Sequence, residues 1–92
     1  MKLIKLDGRM NGHRHFKYGV DFDFSYDKPD KYAKVWYWMN EQYGPSIDLD
    51  IWIKYAEVRK NPKWSWDRSH FRTVIYLLSD EESNWFSLKW IT

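Results

Sequence analysis

From Phe16 to Tyr26 every second residue is large and apolar: Phe16, Tyr18, Val20, Phe22, Phe24 and Tyr26 alternate with Lys17, Gly19, Asp21, Asp23 and Ser25. A period of two marks an extended chain whose side chains leave opposite faces in turn. The spacing therefore predicts one long β-strand with an apolar face that another layer must cover. At 92 residues the chain has room for one domain and a modest core. It has no cysteine, so disulfides and thiolate metal sites are excluded and stability must come from packing. Aromatic residues make up 21% of the chain, with seven Trp and seven Tyr. Each ring can bury roughly 150–250 Å².

Met1 to Leu6 suits a short strand, with Leu3 and Ile4 set between lysines. The turn dipeptides Asp7-Gly8 and Asn11-Gly12 then predict a hairpin into the long strand, through a loop of several residues. At Asp27-Lys28-Pro29-Asp30 the pattern changes to that of a helix start: Asp27 as cap, Pro29 in the first turn, and Asp30 at the positive end of the dipole. Tyr32, Val35, Trp36, Met39 and Tyr43 recur at steps of three and four, within roughly 100° on a helical wheel. Gly44-Pro45 supplies the stop. Tyr37 and Trp38 miss this stripe, so either a second layer covers them or they lie at the surface.

Further on, Ile47, Leu49, Ile51, Ile53 and Tyr55 alternate with Asp48, Asp50, Trp52 and Lys54, which favours a strand up to about Tyr55. Ile51, Tyr55 and Val58 also fit a helical spacing. Lys60 to His70 reads as a polar connection punctuated by Pro62 and carrying Trp64 and Trp66. Arg72 to Leu78 is β-branched and apolar, as in a buried strand. Ser79 with Glu82 makes a capping box and predicts a short C-terminal helix; the competing reading is a last strand over Trp85–Ile91. Together these elements predict an α+β fold. It is a two-layer sandwich: a mostly antiparallel sheet of about four strands with helices packed on one face, in the order β-β-α-β-β-α, as a single compact domain over residues 1–92.

Charge and hydropathy narrow the function. Charged residues make up 30% and mean hydropathy is -0.79. The longest apolar run, Val74 to Leu78, is too short to span a bilayer. No apolar stretch follows Lys2 and Lys5, so no signal peptide is expected, and a cysteine-free chain then reads as cytoplasmic. Net charge is +2 but laid out in blocks: residues 21–50 hold seven acids, whereas residues 51–74 hold six basic groups and two acids.

Signatures of catalysis are missing from the pattern. His13 and His15 share strand parity with Asp21 and Asp23, but His13 and Asp21 would lie ~26 Å apart on a strand rising roughly 3.3 Å per residue, so they cannot share a metal ion. The pairs Asp21/Asp23 and Asp48/Asp50 sit among lysines on faces that the alternation leaves to solvent, not where burial would split their pKa values. Ser65, Ser69 and Ser79 lack a nucleophile elbow, and Ser69 beside His70 is adjacency, not triad geometry. Gly8, Gly12, Gly19 and Gly44 are scattered singly, so no phosphate cradle forms. The sequence therefore predicts no enzyme, no metal and no cofactor.

The stretch Arg59–Arg72 points to binding. Arg59, Lys60, Lys63, Arg68 and Arg72 are interleaved there with Trp64 and Trp66. Basic groups meet phosphates and exposed rings stack on unpaired bases, which predicts single-stranded nucleic-acid binding. Trp and Arg are also enriched at protein-interface hot spots, which predicts a protein partner. Alternatively, the two indoles fold back to close a small core. A protein-binding surface would draw on Tyr37, Trp38, Trp52, Trp64, Trp66 and Arg68, because so many rings exceed what one small core can hide. A protein partner, or a second copy of the chain, is ranked ahead of nucleic acid.

Lys5-Leu6-Asp7-Gly8-Arg9, Glu41-Gln42-Tyr43-Gly44-Pro45, and the run from Ile75-Tyr76-Leu77 through Asp80-Glu81 to Leu88-Lys89-Trp90 resemble small uncharacterised proteins of tailed bacteriophages, especially those infecting cyanobacteria. The resemblance implies a phage-encoded origin and a host protein as the partner. It implies no activity and carries over no functional residue.

Overall fold

The structure, a computed structural model, describes residues 1–9, 15–23, 29–54, 63–68 and 73–91. Four strands, β1 (Lys2–Lys5), β2 (Tyr18–Phe22), β3 (Trp64–Arg68) and β4 (Thr73–Leu77), form one sheet in the order β1-β2-β4-β3, with every neighbouring pair antiparallel. Two long helices, α1 (Pro29–Tyr43) and α3 (Asp80–Trp90), contribute to the main core with the sheet, and a short helix, α2 (Leu49–Lys54), precedes β3. This is the expected α+β sandwich in the order β-β-α-β-β-α, with α2 inserted.

The pleat sorts the side chains into two clusters. In register, Val20 faces Ile75, Tyr18 faces Leu77, and Trp64 faces Leu77 from the other side. These residues share the helix-facing side with Phe22, and α1 and α3 cover it with Tyr32, Val35, Met39 and Phe86. Val74 and Tyr76 point the opposite way and pack with Phe16 and Leu49, supported by Leu6 and Ile47. β4 is thus buried along its whole length, as its apolar composition requires. Gly19 lies on this second face, where a Cβ would come within 3.2 Å of both Leu6 and Val74, so the close approach of these neighbours depends on glycine.

Three expectations need correction. The alternation does not carry back to Phe16: the ladder starts at Tyr18, and the bend over residues 15–17, where the Lys17 N–H donates to the Leu77 carbonyl at 3.1 Å, swings Phe16 onto the second face. Phe24, Tyr26 and Asp27 lie outside the described residues. The strand expected up to about Tyr55 is instead α2; only Asp48 makes an isolated parallel bridge, with Trp66. Hydrogen bonds from Ser46 Oγ to the Trp64 carbonyl (2.6 Å) and from Ser65 Oγ to the Ile47 carbonyl (2.7 Å) tie the approach to α2 along the outer edge of β3. Among the described side chains of α2, Leu49 is buried and the helical turn carries Ile51 to the surface. The connection expected around Trp64 holds β3 itself, an edge strand whose Trp64 and Trp66 face the helices while Ser65 and Asp67 alternate with them.

Both helix readings stand. α1 ends where Gly44 takes φ +85°, with its N–H donating to the Asn40 carbonyl at 2.9 Å. The predicted stripe faces the sheet. Trp38, off that stripe, is covered by α3, with Phe86 and Trp90 each 6.1 Å away ring to ring, whereas Tyr37 is 65% exposed. α3 starts at Ser79, but the backbone bonds of the capping box do not form: the Ser79 hydroxyl donates instead to Glu82 Oε1 at 2.6 Å, side chain to side chain, and does not bond the backbone of the first turn.

Candidate functional site

Where α1 passes over the edge strand β3, a groove of about 280 Å³ opens, lined by Tyr32, Ala33, Trp36 and Tyr37 from α1 and by Trp66 and Arg68 from β3. Helix periodicity brings residues 32, 33, 36 and 37 to one flank of α1, and strand periodicity puts residues 66 and 68 on one face of β3. Ala33 is the small residue in this lining. Trp36 and Tyr37 stand edge to face, with centroids 5.3 Å apart and planes at 85°. Trp36 in turn leans on the buried Trp64 at 6.4 Å, which fixes the wall from behind. The Arg68 guanidinium lies 5.7 Å from the Tyr32 ring centroid, stacking a cation on an aromatic wall while its side chain reaches solvent. Among the described residues, the indole N–H of Trp66 has no hydrogen-bond acceptor although it is buried.

Such a lining combines rigid apolar walls with a planar donor at the rim. The walls desolvate an apolar or aromatic side chain, and Arg68 offers paired N–H groups to a carboxylate. Burial pushes the Tyr32 hydroxyl up to about 12; Arg68 opposes that rise, and Asp48 and Asp67 add to it. Tyr43 is likewise pushed up to about 12, by burial first and by Glu82 and Glu81 second. Both phenols are neutral when protonated, so the folded state holds protons that the unfolded chain gives up near pH 10. Stability from these two sites is full below about pH 10 and is lost as pH climbs toward about 12. Thermal melts across that window should show a falling midpoint, together with delayed tyrosinate absorbance relative to the unfolded chain.

Of the residues singled out in the sequence, the fold brings Tyr37, Trp66 and Arg68 together in this groove. It places Trp38 and Trp64 elsewhere. Trp38 packs under α3 on a different flank of α1. Trp64 is 0% exposed, and its indole N–H donates to the Gly44 carbonyl at 2.8 Å, so it belongs to the core and cannot serve as a partner-binding ring or a base-stacking platform. Trp52 falls within α2, its side chain outside the described set. In the nucleic-acid reading, Lys63 is exposed beside the Tyr43 ring, at 5.8 Å, while Arg59, Lys60 and Arg72 lie outside the described residues. Sealing Trp64 leaves Trp66 as the single indole of that basic stretch at the surface.

Sequence reasoning assigned Tyr32 and Trp36 to the core stripe and missed that their outer edges form the groove. It also missed a second concavity, of about 330 Å³, between Tyr43 of α1 and Glu81, Asn84, Trp85 and Leu88 of α3. Among the described residues no three His, Cys, Asp or Glu side chains gather to hold a metal ion. His15 packs its ring edge-on to Phe16 at 4.8 Å, and His13 and His70 lie outside the described residues. No helix of the described residues is long and apolar enough to cross a membrane. Comparison of the chain with protein-family models, curated proteins and solved structures finds no match.

Proposed function

We propose that this protein is a non-enzymatic module that binds a partner protein in the groove between α1 and β3. The occupant is a partner segment presenting an aromatic or large apolar side chain next to a carboxylate. The observation that carries this reading is the convergence of four aromatic side chains, Tyr32, Trp36, Tyr37 and Trp66, on one open groove with Arg68 at its rim. Tyr, Trp and Arg are the side chains that most often dominate interface energetics: the two aromatics bring large buried area with few rotatable bonds, and Arg brings a planar fork of donors. Arg68 supplies the charge that selects an acidic neighbour. On the phage resemblance, the partner is a protein of the host.

The test is selection from a random displayed-peptide library, followed by titration of the enriched peptides against the intrinsic tryptophan fluorescence. Enriched peptides should share an acidic residue beside an aromatic one. Arg68→Glu should weaken them by about tenfold or more, and Tyr37→Ala by a similar factor, in keeping with loss of hot-spot contacts. Both side chains reach solvent, so thermal midpoints should stay close to that of the parent protein. Binders indifferent to both substitutions, or tight low-salt binding of an unstructured oligonucleotide in place of peptides, would overturn the proposal.

A further inference from the structure

A separate surface, independent of the groove, is the outer side of α3. Its inner side buries Glu82, Ser83 and Phe86. Its outer side exposes Trp85 at 52%, Leu88 at 65% and, just past the last turn, Ile91 at 47%. A surface helix ordinarily concentrates its apolar residues on the buried side and leaves polar ones outside. This helix carries them on both. The Trp85 ring is held in place, because its N–H donates to Gln42 Oε1 of α1 at 3.0 Å, so the apolar face is presented by a braced side chain.

Charge decides what covers that face. Asp80, Glu81 and Glu82 occupy the first turn of α3 and Lys89 the last. Glu81 and Lys89 are both exposed, and each lies four residues from Trp85, ~6 Å along the axis at 1.5 Å per residue. A two-fold axis at Trp85 would therefore set Glu81 of one copy against Lys89 of the other, twice over, with the helix dipoles antiparallel. The same axis stacks Trp85 on its counterpart with Leu88 flanking.

From this pattern we infer that α3 is a self-complementary interface at which two copies of the chain pair antiparallel around Trp85. One short helix covers far less than the roughly 800 Å² per partner of a standard interface, so the dimer is weak and reversible.

Sedimentation equilibrium over a concentration series tests it on the intact protein. The apparent mass should rise from monomer toward dimer with concentration, and Leu88→Glu should hold it at monomer. Glu81→Lys or Lys89→Glu alone should each weaken dimerisation by about tenfold, since both symmetry-related pairs change from attraction to repulsion. The double reversal should recover it to within about threefold of the parent. Circular dichroism on each variant establishes that α3 remains folded. A parent protein that stays monomeric at the highest concentration, or a dimer that the double reversal fails to restore, overturns the inference. A dimer broken by Tyr37→Ala and untouched by Leu88→Glu also overturns it, by moving the contact to the groove.

Discussion

Trp64→Ala is expected to lower the free energy of unfolding by about 3–5 kcal/mol, the range for deleting a large buried aromatic. A domain of this size has only about 5–15 kcal/mol in total, so the urea midpoint should fall by a large fraction of the parent's value. The position joins three parts of the fold. Its ring fills the core between sheet and α1, edge-on to Trp36. Its indole N–H bonds the Gly44 carbonyl where α1 ends. Its own carbonyl accepts the Ser46 hydroxyl that aligns the next segment along β3. Alanine removes the first two at once and leaves a cavity that the surrounding rings are too stiff to fill. Trp64→Phe separates the contributions: it keeps much of the apolar contact and loses a hydrogen bond worth about 1 kcal/mol, so its midpoint should fall between the two. Tyr37→Ala, at an exposed site on α1, should shift the same urea midpoint by no more than about 0.5 kcal/mol equivalent. A Trp64→Ala protein as stable as Tyr37→Ala would show that the indole is not the keystone its surroundings describe.

Legibility in the sequence follows the range of the forces involved. α1 could be read because its start, stripe and stop are all local: Pro29 and Asp30, then Tyr32 to Tyr43, then Gly44. β4 could be read because a strand buried on both faces carries an unbroken apolar run, here Val74 to Leu77. α3 declared itself through Ser79 and Glu82, even though their side chains bond each other rather than the backbone of the first turn. Residues 47–55 could not be settled that way, since their apolar positions fit two periods. The decision came from Ser46, Ser65 and Leu49 finding distant partners. β3 was hidden for the same reason. Ser65 and Asp67 look like loop residues until the Ile47 carbonyl and the β4 ladder account for their neighbours.

The groove was half legible. Tyr37 stands out on the helix, and Trp66 with Arg68 in the basic stretch, but the meeting of these two places depends on strand order, which sets β3 at the edge beside α1. Trp64 and Trp66 share a strand face and differ in fate. Two residues along β3, about 7 Å at 3.3–3.4 Å per residue, separate the middle of the core from its rim. No compositional signal distinguishes the two indoles.

Phe16→Ala is the complementary experiment, directed at the second face of the sheet. Phe16 is fully buried against Tyr76, 5.8 Å between centroids, with Leu49 and Val74 completing the cluster. On area alone the loss should again be about 3–5 kcal/mol. The informative quantity is the form of the transition. Val74 and Tyr76 of this cluster alternate along β4 with Ile75 and Leu77 of the main core, so the two clusters share one backbone. Loosening one face withdraws support from the strand that the other face needs. Unfolding of Phe16→Ala, followed both by tryptophan fluorescence and by far-ultraviolet circular dichroism, should therefore stay a single coincident transition with an unchanged m-value and a lower midpoint. Were the second face merely a loop laid on a finished sandwich, the two probes would separate, and the tryptophan signal of the main core would outlast the loss. Coincidence is the expected result because a strand cannot remain pleated for one set of side chains and not for the other.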